Sequence, residues 1–184
     1  MSRAIAALAL SASIVPAALA QNSAPQPVPI VSTIPEPQDR PLTDPMILEV
    51  DATDITRAIF NVKQRIPVEA GKPLILLYPQ WLPGKHGPRG ALAEMTGLQI
   101  KYKGTLLRWT RDPVQAYASH VDAPAGVSAV DVQIQSTQPV RESEGRINVT
   151  PNMMNVQWEQ VALYPAGHFT RAIQVKPSIT LPVG

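Results

Sequence analysis

From Met46 onward, apolar and polar residues alternate one by one, the period of a strand with one buried face. In the run Arg57–Val68, Ala58, Phe60, Val62 and Ile66 fall on one side, while Arg57, Asn61, Lys63 and Arg65 fall on the other. Leu98, Ile100 and Tyr102 alternate with Gln99 and Lys101, and Val130, Val132 and Ile134 alternate with Asp131, Gln133 and Gln135. Near the end, Ile173, Val175, Ile179 and Leu181 oppose Gln174, Lys176 and Thr180, with Pro177 inside the run predicting an edge strand or a bulge. Leu74 to Tyr78 is apolar throughout and predicts a central strand covered on both faces. Turn signals separate the runs at Ala70-Gly71-Lys72-Pro73, Lys103-Gly104, Ala125-Gly126 and Glu144-Gly145, and Asp51 and Asp54 predict a further turn. Only Gly90 to Met95 has the composition of a short helix. Short strands with regular punctuation predict an all-β fold, an antiparallel β-sandwich over residues 46–184.

The pattern before Met46 is of another kind. Arg3, the apolar run Ala4–Val15 and the small residues of Ala18-Leu19-Ala20 have the order of a secretory signal peptide over residues 1–20, cleaved after Ala20. The apolar run is too short to span a bilayer, and no other segment approaches that length, so no membrane span is expected. A periplasmic or secreted location follows. Residues 21–45 are proline-rich and read as an extended lead. Val28, Ile30, Val31 and Ile34 offer apolar anchors along it, so a packed arm and a loose tether both remain open.

Charge and composition exclude more than they suggest. The chain has 16 Lys and Arg against 14 Asp and Glu, and cleavage of the leader would remove Arg3. No cationic run could neutralise a phosphate backbone, which argues against nucleic acid. With no cysteine there are neither disulfides nor thiolate chemistry. His86, His120 and His168 are far apart and lack the spacing of a zinc-binding helix, so no metal or other cofactor is expected. Glu142 and Glu144 lie in a charged stretch with the character of a solvated hairpin tip. No nucleophile elbow or phosphate-cradling glycine loop is present.

Tyr78 to Gly90, YPQWLPGKHGPRG, is the stretch with the most unusual chemistry. Together with Leu106–Gly126 and Val156–Gly184, it resembles the N-terminal β-domain of the glycyl aminopeptidase family of exported, PDZ-containing zinc metallopeptidases. The Trp-Leu-Pro-Gly loop at residues 81–84 is the most specific element. Trp109-Thr-Arg-Asp-Pro113 and Leu163-Tyr-Pro-Ala-Gly167 support it. The resemblance implies a non-catalytic domain that packs on a catalytic metallopeptidase domain and shapes substrate access. The His-Glu-x-x-His zinc site of that family has no counterpart in this chain. Gly84-Lys85-His86 stands where many relatives carry Gly-Ser-Tyr, so no role of that tyrosine transfers. Relatives continue where this chain reaches Leu181-Pro182-Val183-Gly184, which reads as a truncation. Trp81, Pro83, Gly84, Lys85, His86 and Arg89 then form a candidate interdomain docking loop. The plainer alternative makes Trp81 a cap on the sandwich core. The rival function is a free-standing exported sandwich that binds a protein or glycan partner.

Overall fold

The computed structural model describes residues 30–144 and 146–183. The leader, its cleavage point and residues 21–29 of the lead lie outside them. The described residues from Ser32 onward form one compact unit.

Its strands are β1 (Met46–Asp54), β2 (Ile59–Pro67), β3 (Leu74–Leu77), β4 (Met95–Tyr102), β5 (Thr105–Leu107), β6 (Trp109–Arg111), β7 (Ala118–Val121), β8 (Ala129–Thr137), β9 (Val149–Thr150), β10 (Met153–Met154), β11 (Tyr164–Pro165) and β12 (Val175–Thr180). One sheet has the order β12-β1-β2-β8-β4-β5, another the order β11-β3-β7-β6, and β9 and β10 form a small ribbon. The fold is therefore the expected all-β sandwich.

Alternation explains the larger sheet. The register sets Leu48 beside Gln64, Gln64 beside Val132, Val132 beside Ile100, and Ile100 beside Leu107. A parallel row joins Val50, Val62 and Ile134. Both rows are buried against Leu74, Leu76 and Val121 of the smaller sheet. Fully burying one such side chain is worth about 1.5–3 kcal/mol, so these rows hold the sheets together. β3 lies between β11 and β7 as a central strand should. Its Ile75 lines a cavity of about 190 Å³ whose other wall includes Pro35, Gln38 and Arg40 of the lead.

Four expectations change in detail. β12 does sit at an edge, as Pro177 demands, but it pairs with β1 in parallel and all six of its residues are exposed. Asp51 lies inside β1, and the turn follows Asp54. Their carboxylates still accept nearby amide protons, from Thr53 N to Asp51 Oδ1 (3.0 Å) and from Arg57 N to Asp54 Oδ1 (3.2 Å). The Gly90–Met95 segment makes only a single 3-10 turn, Leu92–Glu94, before Met95 opens β4. A 3-10 turn, not a hairpin tip, spans Glu142–Glu144.

Residues 32–45 of the lead lie along the sandwich, held chiefly by polar groups. Gln38 N donates to Gly167 O (3.2 Å), and Phe169 N donates to Gln38 O (3.2 Å). Arg40 pairs with Glu69, and Asp39 with Arg171. Ile30 and Val31 are exposed, Ile34 is half-buried, and Val28 is outside the described residues.

Candidate functional site

The loop after β3 begins from a fixed point. Tyr78 N donates to Tyr117 O (2.9 Å), and the buried Tyr78 hydroxyl donates to Gln160 O (2.9 Å). Burial also raises the Tyr78 phenol well above its ordinary pKa, which keeps it a neutral donor. The chain then closes on itself, because Gln80 O accepts from Arg89 N (2.9 Å) and Gly90 N (3.3 Å). A Cβ at Gly90 would lie 1.9 Å from Pro79 O and 2.8 Å from Tyr117 Cε1, so only glycine lets the two ends of the loop meet. At the tip, Lys85 N donates to Leu82 O (3.1 Å), and Gly84 has φ +74°. Proline then glycine at the two central positions is the chemistry of a type II turn. The loop is a pinched, proline-stiffened projection.

What it projects is apolar and cationic. Trp81 is 65% exposed, so the sandwich core does not enclose it as a cap would require. Pro83, Gly84, Lys85, His86 and Arg89 are exposed as well. The structure thus brings all six candidate residues onto one loop. Neither Lys85 nor Arg89 enters an ion pair among the described residues. One side of Trp81 borders a groove of about 380 Å³ lined also by Met46, Leu48, Leu82, Trp158 and Val175. The other side borders a wider groove of about 570 Å³, with Tyr117, Tyr164 and Phe169 facing Pro35 and Pro37 of the lead.

The titratable groups have separate structural tasks. His120 Nε2 lies 2.8 Å from Asp112 Oδ2. Amide donors Gln115 N and Val114 N, with His120 beside them, hold the Asp112 carboxyl well below the usual carboxylate range. His168 is buried, with Nδ1 2.9 Å from Arg40 O. His86 is exposed near the loop tip. Among the described residues, no group of three or more histidines and carboxylates could hold a metal ion. Burial raises the Glu94 carboxyl, whose Oε2 has no hydrogen-bond partner.

Two residues important to this region carry little mark of it in the sequence. Gln64, only 3% exposed, donates from Nε2 to Leu163 O (3.1 Å) and accepts from Leu163 N (2.9 Å), which pins the segment leading into β11. Its one signal is that it occupies an inward phase of an alternating run. Trp158 sits in a loop turn, Trp158–Gln160, where no periodicity could mark it.

The sequence profile of the peptidase M61 N-terminal domain matches residues 47–184. No curated protein matches the chain. Among solved structures, an aminopeptidase N family protein from Idiomarina loihiensis superposes with a TM-score of 0.57 at 16% identity. The match covers 74% of this chain and 22% of that one, so the chain spans a minor part of its structural neighbour. That likeness is one of fold.

Proposed function

Because the chain belongs to the peptidase M61 family, as its N-terminal domain, we propose that it is a non-catalytic β-domain that packs against a peptidase catalytic domain and shapes substrate access to it. The same reading places it in the periplasm or outside the cell after cleavage at Ala20, and gives the chain no cofactor of its own.

The exposed Trp81 carries the docking half of this proposal. Tryptophan and arginine are the residues most often found at the energetic centre of an interface. Here an indole stands on a loop too pinched to fold it back, with Arg89 at the loop's base. A stiff loop loses little entropy when a partner covers it. The catalytic portion of an M61 peptidase, produced as a separate chain, supplies the test. It should bind this chain, and Trp81→Ala should weaken binding by roughly 30-fold or more, the hot-spot range, with the melting temperature unchanged. If Trp81→Ala instead unfolds the sandwich, Trp81 is a core cap and docking loses its main support.

A further inference from the structure

The larger sheet is wider than the sheet that covers it, with six strands against four. Its register carries the core rows outward onto β12: Met46 beside Val175, Leu48 beside Pro177, Val50 beside Ile179. Paired residues share a face. Met46, Leu48 and Val50 are at most 2% exposed, yet Val175 and Ile179 are 41% and 38% exposed. The inward face of the sheet thus runs on past its cover. Across the groove from β12 stand Trp81, Leu82 and Pro83, with Trp158 beside them.

The backbone of β12 limits how a partner can use this edge. Met46 N donates to Gln174 O (2.9 Å), which fixes the phase of the pairing. The backbone groups of Lys176 and Ser178 then point to β1, and those of Val175, Pro177 and Ile179 point to the free edge. The middle one of these three has no N–H to give. An added strand would lose its central donor, so the edge is blunted as edge prolines generally blunt it. The accessible chemistry is the side-chain face.

Charge narrows the occupant. Among the described residues, Glu159 is the one formally charged side chain lining the groove. The loop that gives Trp81, Leu82 and Pro83 to the groove also carries the exposed cations Lys85 and Arg89, which enter no ion pair among those residues. Resting on the docking role proposed above, we infer that the uncovered inward face of β12 and the Trp81 loop together receive one element of the catalytic domain. That element is apolar where it meets Val175, Pro177 and Ile179, bears carboxylates opposite Lys85 and Arg89, and packs by side chains and not as an added strand.

The experiment pairs this chain with the separately produced catalytic portion of an M61 peptidase and measures association by surface plasmon resonance. Val175→Asp with Ile179→Asp sits on an exposed strand, so the melting temperature should hold while affinity falls by about 30-fold or more. Lys85→Glu with Arg89→Glu should slow association by about tenfold and flatten its dependence on salt. If the wild type binds and both double variants bind equally well, the element docks elsewhere or adds as a strand. The β12 inference then fails while the domain-packing role stands. If only the β12 variant is silent, the carboxylate flank meets the loop without the β12 face, which also overturns the inference. If the wild type does not bind at all, the packing role fails and this surface falls with it. Should the aspartate pair lower the melting temperature, Val175→Ser with Ile179→Ser repeats the measurement without added charge.

Discussion

Replacing Gln64 by leucine isolates how much a single buried amide contributes to joining the two layers. Leucine keeps an apolar body of similar size between Leu48 and Val132, so the row of side chains is not opened into a large cavity. What disappears is the paired recognition of Leu163, whose N–H and C=O meet Gln64 at 2.9 and 3.1 Å. Leu163 is 1% exposed, so water cannot readily take over either group. A buried polar group left unpaired costs about 1–3 kcal/mol. With two such groups and some local relaxation, the expected loss is about 2–4 kcal/mol. For a domain of this size that corresponds to a fall in melting temperature of roughly 4–16 °C. Urea denaturation followed by tryptophan fluorescence should show a lower midpoint with the slope unchanged. Lys63→Gln, one residue away on the exposed face, should stay within about 0.5 kcal/mol of wild type. An unchanged midpoint for Gln64→Leu would show that Leu163 finds other partners and that the amide bridge is dispensable.

Glu94→Gln should stabilise the fold at neutral pH. A carboxyl raised by burial resists ionisation, so its penalty is absent in acid and grows as pH rises through and above the usual carboxylate range. The advantage of the variant should therefore vanish toward about pH 4, and a gap independent of pH in thermal melts would contradict this. Asp112→Asn should behave in the opposite sense. A depressed carboxyl contributes stability above its unfolded pKa and loses it as pH falls, so the wild type should lead at neutral pH and lose that lead in acid. Tyr78→Phe removes the donor to Gln160 O and should cost about 1 kcal/mol in chemical denaturation. The isolated chain should release no glycine from glycyl peptides and retain no stoichiometric zinc after dialysis; chelator-sensitive turnover with one bound zinc would refute the non-catalytic role.

Strand positions were legible because each alternating run has one face on the core. Val62, Val132 and Ile100 sit where the period of two put them. The same pattern marked the inward face of β12 correctly, but periodicity says which way a side chain points and not whether anything lies over it. The parallel pairing of β12 was equally hidden, since alternation carries no direction. The lead eluded an apolar reading because its contacts are main-chain bonds at Gln38 and ion pairs at Asp39 and Arg40. The loop was legible as a set of residues from its prolines and glycines. Its closure was not, since the need for glycine at residue 90 arises from Pro79 and Tyr117 approaching in space.

The pairing of β1 with β12 also dictates when the fold can be finished. Met46 and Val175, neighbours in the register, are 129 residues apart in the chain (175 − 46). Strand β1 has its antiparallel partner β2 close at hand, after a turn of four residues. Its other edge has no native partner until Val175–Thr180 joins the sheet. Through that interval the folding chain presents the apolar, unpaired edge of β1, the kind of surface that holdase chaperones recognise and that recruits other chains. Closing so long a loop is entropically slow and comes late. Completion of the larger sheet is therefore tied to the arrival of β12.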